Sequence, residues 1–179
     1  MKLKMKIKET KEFYYFVSKT MLQFLIASFV GWLYEVATVY CLFRTYYDRG
    51  VLHLPLCPIY GVGMLVLLLI FHRVKNTVVI FMGSVTVTTA VELAASYVLE
   101  HIYGYSFWTY EGWPLNFQNR VSLISSCIFG LMALLFFKII RPVTDKLYTT
   151  KAKKMVTLLV YLMVAGCILW EIQYTKQGF

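Results

Sequence analysis

Five stretches of this chain are apolar on nearly every face: Thr20–Phe43, Leu56–His72, Thr77–Glu100, Val121–Ile140 and Val156–Tyr174. A helix needs about 20 such residues to cross a hydrocarbon core. A lipid-facing strand would alternate polar and apolar residues, and these segments do not. The expectation is an all-α fold: a polytopic integral membrane bundle of about five transmembrane helices. A single membrane domain would cover residues 20–179, with a basic segment, 1–19, ahead of it. The second stretch is the shortest, and Pro55 and Pro58 break its start. Composition agrees, with 59% hydrophobic residues against about 45–50% apolar in soluble domains.

The net charge of +9 invites a nucleic-acid reading, and its placement argues against one. With the N-terminus inside, six lysines fall within residues 1–19, and Arg73 and Lys75 follow the second helix. Lys138, Arg141, Lys146, Lys151, Lys153 and Lys154 gather at the end of the fourth helix and in the loop after it. Arg44, Arg49, Arg120 and Lys176 remain for the outer side. Such asymmetry predicts a multi-pass protein of the plasma membrane, N-terminus in and C-terminus out, with the lipid bilayer as its partner and no nucleic acid. Residues 1–19 lack a small-residue cleavage site and read as a cytoplasmic lead-in, not a cleaved signal.

Ionisable groups inside the apolar stretches are costly, and they usually mark a solute or ion pathway. On the third helix Ser84, Thr88, Glu92, Ser96 and Glu100 recur every four residues, and the last three share one face. On the first, Gln23, Ala27, Gly31 and Glu35 form a similar row. Glu35 and Glu92 each lie eight residues before the outer end of their stretch, about 12 Å at 1.5 Å per residue. Arg49 and Arg120 flank these acids in sequence and are expected to pair with Glu35, Glu92 or Glu100. Two readings stand: carboxylates that only hold the bundle together, and carboxylates that line an outer-facing polar pocket.

Pro55, Pro58, Gly61 and Gly63 make the outer start of the second helix irregular, either as a proline helix start with close packing or as backbone lining a cavity. The loop "HIYGYSFWTYEGWPLNFQN" carries seven aromatic residues, including Trp108 and Tyr110. It reads as an interfacial belt or as a lid dipping over the polar layer. Ser122, Ser126 and Gly130 form a close-packing stripe on the fourth helix. Cys41, Cys57, Cys127 and Cys167 form no CxxC pair and have no zinc spacing. Cys41 and Cys57 fall near neighbouring outer ends, where a disulfide is an option beside the usual buried thiol. No phosphate loop and no catalytic constellation stand out, so neither a cofactor nor a metal is expected.

The segments "GWLYEV", "DRGVLHLPLCPIYGVG", "VELAASYVLE" and "FWTYEGWPLNFQNRVSLISSCIFG" together resemble the ABC-transporter type IV family, small bacterial membrane proteins labelled as permeases. The matching positions include Gly31, Trp32, Glu35, Arg49, Pro55, Pro58, Tyr60, Gly61, Gly63, Glu92, Ser96, Glu100, Trp108, Tyr110, Asn116 and Arg120. Asp48, Leu54, Thr109 and Asn119 depart from the pattern, which has Asn, Gly, Asp and Gly there. The resemblance implies a membrane location and a permease-like transport component. The candidate pocket for a small polar or cationic solute comprises Glu35, Glu92, Ser96, Glu100, Arg49, Arg120, Trp108 and Asn116. A separate ATPase subunit would have to supply energy, and a homo-oligomer fits the small number of helices. Two alternatives remain open: a membrane-embedded enzyme acting on lipid or cell-wall precursors, and a structural or sensory subunit.

Overall fold

The structure is a computed structural model that describes residues 2–46 and 52–176, leaving Arg49 and the adjoining residues outside it. It is almost wholly helical: α1 (Lys2–Phe43), α2 (Pro58–Phe71), α3 (Thr77–Tyr103), α4 (Leu123–Leu135), α5 (Arg141–Thr149) and α6 (Lys153–Lys176). A π-helical turn, Phe136–Ile140, joins α4 to α5 in one continuous helical run, Leu123–Thr149. Pro142 follows this turn and has no N–H to return to the carbonyl four residues back, a usual cause of such local widening.

Four helical runs are long and apolar enough to cross a membrane: those within α1, α3, α4–α5 and α6. The protein is a multi-pass membrane protein. The count differs from the expected five at α2, which has 14 residues, about 21 Å of helix against about 30 Å of hydrocarbon. Its start is fixed by Pro58 at the first helical position, where a missing N–H costs nothing. Two other boundaries move for local reasons. Helix α1 continues back to Lys2, because residues 2–19 contain no proline or glycine. The helix expected from Val121 begins at Leu123, since Val121 and Ser122 are extended and Ser122 serves as N-cap.

Burial is inverted relative to a soluble protein. Ser18, Ser28, Ser84, Ser125 and Thr144 are at most 1% exposed, whereas Leu69, Val78, Leu131, Leu158, Leu162 and Leu169 lie outward. Lipid is as apolar as leucine, so small side chains that let backbones approach are the better interior.

The chain forms two compact units: residues 1–61 with 140–179, and residues 62–139. In the first, α2 begins about two-thirds of the way along α1. The Cys57 N–H donates to the Ser28 carbonyl at 3.0 Å. A Cβ on Gly31 would collide with the Tyr60 ring, and one on Gly61 would meet Phe24 and Ser28. Some fifteen residues of α1, about 22 Å, therefore extend past the level where α2 starts. This rules out the Cys41–Cys57 disulfide: Cys41 is 13 residues, about 20 Å, along α1 from Ser28, and both thiols are free. The bent segment before α2, residues 52–57, is seated on α6. The His53 N–H donates to Glu171 Oε1 (2.6 Å), its Nδ1 lies 3.2 Å from Oε2, and Trp170 Nε1 donates to the His53 carbonyl (3.0 Å). The His53 ring stacks on Tyr174 with centroids 3.9 Å apart. Near the middle of α1, Gln23 Nε2 donates to Thr144 Oγ1 (2.7 Å), and Lys19 pairs with Asp145 (2.6 Å).

The second unit holds the rest of α2, then α3 and α4 with the loop between them. Asn76 caps α3 by accepting from the N–H groups of Val78 and Val79, and Gly104 ends it at φ 78°. Helices α3 and α4 meet closely: a Cβ on Gly130 would lie 2.7 Å from Val85 Cγ2 and 2.8 Å from Phe81 Cε2. Thr89 donates to Ser126 across the same seam at 2.6 Å. The connecting loop closes in a short hairpin of two two-residue strands, β1 (Asn116–Phe117) with β2 (Val121–Ser122), joined by residues 118–120.

Candidate functional site

The buried row on α3 runs Ile80, Ser84, Glu92, Ser96, a four-residue repeat that faces its own unit. Glu92 is 6% exposed. Its Oε1 accepts a hydrogen bond from the hydroxyl of Tyr110 at 2.6 Å, within the range of a charge-assisted O–H···O bond. Tyr110 comes from the aromatic loop, so the loop folds back onto the membrane helix instead of standing away in water.

One turn further along α3, Ser96 lies 3.4 Å from Arg120 Nη1, and another turn on, Glu100 forms an ion pair with Arg120 Nη2. The Arg120 guanidinium also sits 4.1 Å over the Tyr97 ring. The planar fork lets one arginine serve carboxylate, hydroxyl and ring together. Trp108 does not reach the carboxylates. Its Nε1 donates to the Arg120 carbonyl at 3.0 Å, which holds the start of the loop against its end. Tyr97 donates to Gln118, a second attachment of the loop to α3.

Backbone conformation makes the loop fit. Tyr110 N–H donates to the Asn119 carbonyl (2.8 Å), and Arg120 N–H to the Phe117 carbonyl (3.0 Å). Gly112, Leu115, Gln118 and Asn119 all have positive φ. Asn119, at φ 56°, adopts the left-handed conformation that asparagine tolerates.

The sequence-predicted site residues thus divide. Glu92, Ser96, Glu100, Arg120 and Trp108 come together in the second unit. Asn116 is exposed and serves the hairpin, donating to the Trp113 carbonyl and accepting from Asn119 N–H. Glu35 belongs to the first unit, where the Tyr60 hydroxyl donates to it at 3.1 Å. Trp32 stacks on Phe29, Pro55 is exposed, and Gly63 has open space where a Cβ would stand. Arg49 lies outside the described residues. Spacing did not point to Tyr110 as the partner of Glu92, nor to the seat of His53 on Glu171. The density of tyrosines in the loop was the available signal for the first. No group of three or more metal-ligating side chains is assembled among the described residues.

The fold and this site define a small multi-pass helical membrane protein with a carboxylate buried beneath an aromatic loop. The family model described as Putative ABC-transporter type IV matches residues 22–175. The chain belongs to that family. No curated protein and no solved structure matches it.

Proposed function

We propose that the protein is a permease-like component of an ABC-type transport assembly, handling a small polar or cationic solute at Glu92 beneath the aromatic loop. The observation that carries this reading is Glu92 itself, a carboxylate 6% exposed on an apolar helix with the Tyr110 hydroxyl as its cover. A carboxylate there attracts cations and excludes anions. The Arg120–Glu100 pair beside it acts as the fastening of the loop, and Ser96 adds a neutral polar group between the two carboxylates.

Energy would come from a separate ATPase subunit, with the basic segment Lys138–Lys154 as its landing surface. The orientation is N-terminus inside in the plasma membrane, supported by the lysine and arginine asymmetry. That orientation needs residues 52–71 to cross. Helix α2 supplies about 21 Å of that path.

The test has two arms. Tagged protein is drawn from native membranes in mild detergent and its companions are identified by mass spectrometry. A stoichiometric ATPase subunit, lost when the basic residues of Lys138–Lys154 are neutralised, is the expected result. Recovery of the protein alone would end the ATP-driven reading. In the second arm, charge displacement is recorded on supported proteoliposomes with choline, methylammonium and putrescine. A current to at least one of them, abolished by Glu92→Gln, is expected. A current that survives Glu92→Gln would remove Glu92 from the pathway.

A further inference from the structure

At the basic end of the first unit, Thr10, Lys11, Tyr14 and Tyr15 of α1 and Lys154 of α6 line an open groove of about 350 Å³. Its walls are ordered: Tyr14 stacks on Tyr161 with centroids 4.8 Å apart, and Lys153 Nζ lies 4.6 Å over the Tyr15 ring. Among the described residues, neither Lys11 nor Lys154 forms an ion pair. The nearest acids in sequence, Glu9 and Glu12, lie about 170° and 130° round α1 from the centre of the groove face at 3.6 residues per turn.

The groove sits where both helices change surface character. On α1 the outward residues pass from Glu9, Lys11 and Glu12 to Phe13 (68% exposed) and Phe16 (60%). On α6 they pass from Lys154 to Met155 (61%) and Leu158 (58%). Such a boundary on two adjacent helices is the level of lipid headgroups, where tyrosine and lysine side chains are at home.

We propose that this groove is a binding site for the headgroup of an anionic phospholipid. Lys11 and Lys154 donate to the phosphodiester oxygens, the Tyr14 hydroxyl adds a neutral hydrogen bond, and the acyl chains run along Leu158, one turn beyond Lys154 on α6. A zwitterionic headgroup would bring its own cation against two lysines. Each lysine near such a surface contributes a factor of about five in affinity, so two set a preference well above tenfold. The proposal is independent of the transport reading.

The test is native mass spectrometry of the full chain in detergent, with dioleoyl phosphatidylglycerol and dioleoyl phosphatidylcholine added in equal amounts. Preferential retention of phosphatidylglycerol is expected, falling to the phosphatidylcholine level in Lys11→Gln/Lys154→Gln. It should persist in Lys11→Arg/Lys154→Arg and in the distant control Lys176→Gln. Equal retention of both lipids by the wild-type protein, or undiminished retention by the glutamine variant, overturns the proposal. So does loss in the arginine variant, which removes the charge argument. Complete displacement of phosphatidylglycerol by 50 mM inorganic phosphate, about the excess that would saturate a weak free-anion site, would reassign the groove to a soluble anion and equally overturn the lipid assignment.

Discussion

Replacing Tyr110 by phenylalanine removes one hydroxyl and leaves the ring where it packs, so the variant isolates the bond to Glu92. That bond is 2.6 Å long and its acceptor is 6% exposed. Hydrogen bonds to charged acceptors contribute about 1.5–3 kcal/mol in folded proteins. Side-chain bonds between membrane helices average about 0.6 and reach about 1.7 kcal/mol. Glu92 lies toward the loop end of α3, so a loss of about 1.5 kcal/mol is expected for Tyr110→Phe. In a Glu92→Gln background the amide oxygen still accepts, but without charge assistance, which roughly halves the bond. The same Tyr110→Phe change should then cost about 0.7 kcal/mol, leaving a coupling of about 0.8 kcal/mol, or about fourfold in the equilibrium constant. Reversible unfolding in mixed micelles by added sodium dodecyl sulfate measures all four corners of the cycle. Additivity within about 0.3 kcal/mol, the usual scatter for independent sites, would refute the argument that Tyr110 is matched to a carboxylate at position 92.

Gly130→Leu should destabilise the protein by about 2–3 kcal/mol in the same assay, because the added Cβ meets the stiff Val85 side chain and must part α3 from α4. Gly63→Ala, with nothing within 4 Å of the new methyl, should be neutral or stabilising by up to about 1 kcal/mol. Leu115→Gly should stabilise by about 0.5–1 kcal/mol, as relief of a left-handed residue at φ 50° exceeds the added chain entropy. Asn119→Val should instead cost about 1–2 kcal/mol, read as a drop in the thermal midpoint. His53→Ala should free the segment before α2, and maleimide labelling of Cys57, 3% exposed in the intact protein, should rise about fivefold in a background lacking the other cysteines, the equivalent of one lost contact of about 1 kcal/mol. An unchanged labelling rate would show that the stack on Tyr174 does not hold that segment.

The all-helical membrane architecture was legible because it follows from solvent alone. A run such as "LISSCIFGLMALLFFKII" has no stable conformation in lipid other than a helix, whatever its neighbours. The face carrying Glu92, Ser96 and Glu100 was legible for the same reason, since helical spacing fixes which residues share a side. Length was not legible at α2. Apolarity runs from Leu56 to His72, but where the helix begins depends on Pro58 and on the bond from Cys57 N–H to Ser28, a contact distant in sequence. The loop was the least legible part. Nothing in the spacing of Tyr110 and Glu92 brings them together. Left-handed residues at Leu115, Gln118 and Asn119 do, and neither leucine nor glutamine announces that conformation.

The same comparison explains why the polar residues divide as they do. Glu35 and Glu92 look equivalent by depth, yet each is covered by a tyrosine hydroxyl supplied from within its own unit, Tyr60 for one and Tyr110 for the other. Tyr60 is fixed on a helix, with its ring against Gly31, where no larger residue fits. Tyr110 is carried by the 19-residue connection between α3 and α4, whose fastening to α3 rests on Arg120 and Tyr97. A carboxylate covered by a helix-borne group is a packing element, because uncovering it means parting two helices. A carboxylate covered by a loop can be uncovered by releasing the Arg120–Glu100 pair and the Tyr97–Gln118 bond, both with exposed sides, without parting two helices. That difference in the cost of opening, and not the depth of the acid, favours Glu92 over Glu35 as the group a solute would meet.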